Sequence, residues 1–124
     1  MKETVLASIL IVDDDKQVRE ILKTFLEREG YYVTVTKGGR EAIRSAIVNE
    51  FDLIITDLIM PGGGGLEEVS YLQEAEFNIK VIIISGFLTE NIIKKLRSFD
   101  TVFEILEKPV KLDALSSVVK QALK

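Results

Sequence analysis

The chain has 124 residues, 47% of them apolar, and its 16 basic and 20 acidic side chains give a formal charge of −4. A domain of this length buries roughly two-thirds of its unfolded-chain surface, so this apolar content supports a folded core and argues against disorder. Cysteine and histidine are both absent, which excludes disulfides, thiolate metal sites and every mechanism built on an imidazole.

The acid excess comes with no run of Lys or Arg, so direct binding to nucleic acid is not expected. Apolar runs are short, Val81 to Ile84 being typical, far below the ~20 residues of a membrane span. Met1 to Ser8 lacks a long apolar core followed by a small-residue cleavage site. A soluble, cytoplasmic protein is expected, and residues 1–124 read as one domain without linker or repeat.

In chain order, Ile9 to Val12 is short and mostly β-branched, as in a strand buried on both faces. Asp13, Asp14 and Asp15 follow it, and Asp15 suits the N-cap of the next helix. That helix carries Val18, Ile21, Leu22 and Phe25 at helical spacing and stops at Gly30. Val33 and Val35 alternate with Thr34 and Thr36, the pattern of an edge strand. Ala42, Ile43, Ala46 and Ile47 mark a second helix, and Leu53 to Ile55 a third strand that leads into Asp57. Pro61 and the glycines 62–65 form a loop. Leu66, Val69 and Leu72 mark a third helix; Val81 to Ile84 is the fourth strand, ending at Ser85 and Gly86. Ile92, Ile93 and Leu96 give a fourth helix. Val102 to Leu106 is a weaker fifth strand, followed by Glu107, Lys108 and Pro109. Leu112, Leu115, Val118, Val119 and Leu123 complete a fifth helix. Five βα units predict right-handed crossovers, one parallel sheet and helices on both faces: a doubly wound, flavodoxin-like α/β fold.

Ligands of such sheets bind beyond the carboxyl ends of the strands. In the common strand order 2-1-3-4-5, Asp57 faces Asp13 and Asp14 across a few ångströms. Carboxylates that close raise one another's pKa or recruit a cation. With only oxygen donors available the cation is hard: Mg²⁺, Mn²⁺ or Ca²⁺. A carboxylate beside Mg²⁺ can act as a nucleophile and form an aspartyl phosphate. Lys108 would then neutralise one phosphoryl oxygen and Ser85 donate to another. Each residue also has a plain reading, as a helix cap, a turn residue or a solvated lysine. Their coincidence at successive strand ends favours chemistry.

The segments Ile11-Val12-Asp13-Asp14-Asp15, Thr56-Asp57-Leu58-Ile59-Met60-Pro61, Ser85-Gly86 and Lys108-Pro109 resemble the signature set of two-component response-regulator receiver domains, the CheY-like family. The likeness covers essentially the whole chain. It implies that Asp57 is the phospho-acceptor and that Asp13 and Asp14 organise Mg²⁺, Asp14 as the direct ligand. It implies that Ile59 lends the metal its backbone carbonyl, that Ser85 moves toward the phosphoryl group and that Lys108 binds it. The implied donor is a phosphohistidine on a sensor kinase or phosphotransfer protein, docking on the first helix. The implied output is a change of the helix 4, strand 5 and helix 5 surface, read by an effector or a second copy. Such a domain is a regulatory switch that assists only its own phosphorylation and slow dephosphorylation.

Three departures from the family pattern stand out. Ile105 occupies a position, three residues before Lys108, where the family often has an aromatic ring that turns inward; Phe103 is expected on the same face of the strand. The loop after Pro61 is all glycine. Ile59 and Phe87 are apolar at positions that govern attack by water on the acyl phosphate, so slow autodephosphorylation is expected. Three other readings compete. A non-phosphorylated interaction module of the same fold would lack Mg²⁺ affinity. A Mg²⁺-dependent aspartate-nucleophile phosphohydrolase would want a second acid where Ile59 stands. A flavodoxin-like cofactor binder would want a phosphate-cradling loop in place of Asp13 to Asp15.

Overall fold

A computed structural model of the chain describes residues 6–57, 65–75 and 78–124. The elements run β1 (Ser8–Val12), α1 (Lys16–Arg28), β2 (Tyr32–Thr36), α2 (Gly39–Val48), β3 (Leu53–Asp57), α3 (Gly65–Glu74), β4 (Lys80–Ser85), α4 (Glu90–Arg97), β5 (Val102–Glu107) and α5 (Leu112–Ala122). All strand pairs are parallel, in the order β2-β1-β3-β4-β5. The expected doubly wound α/β architecture is therefore the observed one.

The unbroken apolar runs of β1, β3 and β4 are buried because helices cover both faces of the sheet. On one face Ile9, Ile11, Ile55, Ile82 and Ile84 pack against Leu22 and Leu26 of α1 and Leu115 and Val119 of α5. On the other, Leu10, Ile54, Val81 and Ile83 meet Ala42 of α2, Val69 and Leu72 of α3 and Leu96 of α4. β2 is an edge strand: Tyr32 and Thr34 are exposed while Val33 and Val35 lean on the first cluster.

Helix ends follow their local chemistry. Asp15 caps α1, its Oδ1 accepting from the N–H groups of Gln17 and Val18 at 2.8 and 3.3 Å. Gly30 sits at φ 97, in the left-handed region, and the N–H groups of Gly30 and Tyr31 turn back to the carbonyls of Glu27 and Leu26. Thr89 caps α4 through the Ile92 N–H.

Two apolar positions of the helical stripes differ from expectation. Ile21 and Ile47 are 55% and 59% exposed. The buried face of α1 centres on Leu22 and Leu26, one turn apart, which leaves Ile21 on its flank. In α2 the small residues Gly39, Ala42 and Ala46 take the contact, and Ile47 is rotated off it. β5 brings a correction. Phe103 packs on the α1/α5 side and Ile105 on the other, so they do not share a face. The cause is a register shift: Val81 pairs with Val102 but Ile82 pairs with Glu104, so β5 carries an extra residue there. Lys80 Nζ stands 5.1 Å from the Phe103 ring and donates to the Ala122 carbonyl at the end of α5. The Ile59 to Gly64 part of the glycine loop lies outside the described residues.

Truncating the wholly buried Ile55 to Ala should cost about 2–5 kcal/mol in a denaturant melt. Ile21→Ala, at a half-exposed position, should stay within about 0.5 kcal/mol of the parent. Equal losses would contradict the burial assignment.

Candidate functional site: an acidic cluster at the strand tips

β1 and β3 lie side by side, with Val12 opposite Thr56, so the residues that follow these positions emerge together. Asp13 is wholly buried, Asp57 nearly so and Asp14 exposed. One carboxylate oxygen from each lies within 4.8 Å of the others. The three acids singled out from sequence are thus brought together.

Lys108 closes the group from the end of β5. Its Nζ donates to Asp13 Oδ2 at 2.9 Å and to Asp57 Oδ2 at 2.8 Å. Its backbone N–H bonds the Ser85 carbonyl at 2.8 Å, and the Lys108–Pro109 peptide is cis. This single lysine bridges two buried acids, so the reading of it as a solvated side chain fails. Ser85 is buried at the tip of β4, one residue beyond the partner of Asp57 on that strand. Its Oγ accepts from the Phe87 N–H at 3.0 Å, and Phe87 is 71% exposed. Ile59 lies outside the described residues.

Asp13 is held through all its polar groups. Its N–H donates to the Thr36 carbonyl at 3.2 Å, and its Oδ1 accepts from the Asp15 N–H at 2.9 Å. Its carbonyl accepts from Arg19 Nη1 at 2.8 Å. Arg19 was not legible as a site residue. The available signal was a cation near the start of a helix, where the macrodipole disfavours it.

Burial pushes the Asp13 carboxyl above its usual 3.8; the Asp15 N–H and Lys108 oppose this, and the Asp57 charge adds to it. For Lys108 burial pulls down, but the bonds it donates to Asp57 and Asp13, with their charges, outweigh it and hold the ammonium above 10.5. The linkage has the same sign for both groups, because both folded values are raised. The native Asp13 binds its proton more tightly than the unfolded one, so its contribution to stability falls as pH rises from 3.8 through its folded value. The Lys108 contribution is complete below 10.5 and is lost as pH rises through its folded value.

Residues 9–120 match the family described as the response regulator receiver domain. The chain is 34% identical over 118 residues to the DNA-binding transcriptional regulator NtrC of Azospirillum brasilense, covering 94% of this chain and 24% of that protein. It resembles the structure of the response regulator TrrA of Thermotoga maritima in complex with Mg²⁺-BeF, with 31% identity, TM-score 0.85, and 95% and 100% of the two chains covered. It also resembles a CheY-like response regulator receiver domain protein of Methanospirillum hungatei, with 26% identity, TM-score 0.91, and 96% and 94% covered. The chain therefore belongs to the response regulator receiver family, a class of regulatory signalling domains in two-component systems. It spans a quarter of the length of NtrC and 50% or less of two further curated relatives. Among the described residues no helix is long and apolar enough to cross a membrane.

Removing the lysine should raise the Asp13 pKa further. Carboxyl-carbon NMR titration of the parent and of Lys108→Met checks this, and a downward shift in the variant would contradict the geometry.

Proposed function

We propose that residues 1–124 form a single phospho-acceptor switch of a two-component phosphorelay, with Asp57 as the acceptor. The observation that carries this reading is the meeting of Asp13, Asp14 and Asp57 oxygens within 4.8 Å, with Lys108 Nζ 2.8 Å from Asp57. The donor set fits a hard divalent cation. It is all oxygen, it is anionic, and it lies at a strand end where carboxylates would otherwise repel one another. Asp14, being exposed, is the readiest direct ligand; Asp13, Asp57 and the Ile59 carbonyl complete the protein's share. Mg²⁺ is the preferred ion and Mn²⁺ fits the same donors; when bound, it would supply positive charge to the phosphoryl oxygens.

The donor is a phosphohistidine of a sensor kinase or phosphotransfer protein; with no histidine in this chain, the chain is not its own donor. An Asp57 carboxylate oxygen attacks phosphorus in line. The P–N bond breaks, and its electron pair leaves with the donor imidazole. Lys108 is already placed to follow the charge from the Asp57 oxygen to a phosphoryl oxygen. Ser85 would exchange the Phe87 N–H for a bond to another phosphoryl oxygen, pulling the loop between β4 and α4. An apolar groove of 540 Å³, lined by Val18, Ile21, Leu22, Pro109 and Leu112, ends at Lys108 and offers the donor a seat on α1.

The output is a population shift of the α4, β5 and α5 surface, read by an effector or a second copy. Arg97 of α4 and Glu104 of β5 are paired at 3.3 Å, so these two elements are tied on that surface. Ile105 packs on the α2/α3/α4 side, so the change proceeds without a rotating ring. The proposal places the domain in the cytoplasm, with no direct role for nucleic acid or membrane, and makes it a regulator rather than an enzyme acting on a separate substrate.

Phosphotransfer profiling against the sensor kinases of the source organism should label the parent and leave Asp57→Asn unlabelled. Equal labelling of both would refute the assignment. The apolar residues Ile59 and Phe87, at sequence positions that flank the acceptor and Ser85, should slow attack by water, giving a phosphoryl half-life of minutes or longer in Mg²⁺ buffer. Loss within seconds would contradict this.

A further inference from the structure

We infer that Arg19 is a positioning residue that fixes the acidic turn for cation binding. The inference rests on the proposed cation site. Four polar groups of Asp13 are bonded, and three of the partners belong either to the backbone or to the candidate machinery itself: the Thr36 carbonyl, the Asp15 N–H and Lys108. The fourth is the Arg19 guanidinium, which reaches back from α1 to the Asp13 carbonyl at 2.8 Å. That carbonyl belongs to the peptide joining Asp13 to Asp14, so the bond sets the plane from which the exposed Asp14 side chain departs. Asp15 caps α1 from the other side of the same turn. The turn is therefore held at both ends by the first helix, and its acids are aimed by a side chain that needs no contact with the cation.

Charge and geometry make opposite demands here. As a nearby cation, Arg19 opposes a divalent ion, so if its charge were all that mattered, Arg19→Ala would tighten binding. As a clamp it preorganises the ligands, and its loss would weaken binding. Loss of partners that orient metal ligands typically weakens affinity about ten-fold or more. The second effect dominates because the carbonyl is buried with Asp13 and receives a charged donor, a bond that loosens the turn when removed.

Titration calorimetry with MgCl₂ on the whole chain tests this. Arg19→Ala should bind Mg²⁺ about ten-fold more weakly, with Arg19→Lys, which keeps a charged donor, recovering most of the loss. Binding by Arg19→Ala that is unchanged or tighter overturns the inference. Should Arg19→Ala not fold, Arg19→Gln carries the same comparison. If the parent binds no Mg²⁺ at all, the proposed cation site itself fails, a result separate from any ordering of the variants.

Discussion

Two buried carboxylates sharing one ammonium is the constraint around which this molecule is arranged. Asp13 and Asp57 are both taken out of water beside each other, and Asp14 stands at the rim. Burying two like charges side by side is costly unless a cation meets them. Lys108 offsets that cost with bonds of 2.9 and 2.8 Å to the two acids. Breaking a buried pair by removing one member leaves an uncompensated charge, so each member depends on the others. In the proposed function, this cluster is what receives a divalent cation and a phosphoryl group.

The fold delivers these groups by simple means. Parallel strands place all carboxyl ends on one edge, and the register Val12 to Thr56 sets the acids of β1 and β3 side by side. β4 and β5 bring Ser85 and Lys108 to the same edge, joined by the bond from the Lys108 N–H to the Ser85 carbonyl. The apolar interior of β1, β3 and β4 anchors this edge, because these three strands are packed on both faces. Burying these strands fully is what makes the precise meeting of charges at their tips affordable.

Most of this was legible in the sequence because it depends on local pattern. Unbroken β-branched runs mark strands covered on both faces, and Asp13, Asp57, Ser85 and Lys108 stand where those runs end. Asp15 and Gly30 mark the limits of α1 by cap and left-handed turn. What escaped depends on pairing between distant segments. The extra residue of β5 at Phe103 exists only relative to β4, so strand alternation alone put Phe103 on the wrong face. Leu26 outranks Ile21 in burial because the sheet, and not the helical period, selects the centre of the stripe. Arg19 binds a backbone carbonyl, a partner with no residue type to give it away. The position of the Ile59 carbonyl falls outside the described residues.

The proposed function rests on one residue, Asp57, and that residue can be tested directly. The decisive measurement is chemical mapping of the phosphoryl group after treatment with a small-molecule phosphodonor, by reduction of the acyl phosphate and peptide mass spectrometry, with Mg²⁺ present and with chelator. The account requires the modification on Asp57 and its near-disappearance with chelator. Modification of a different residue, or an equal yield on Asp57 without a divalent cation, would contradict it.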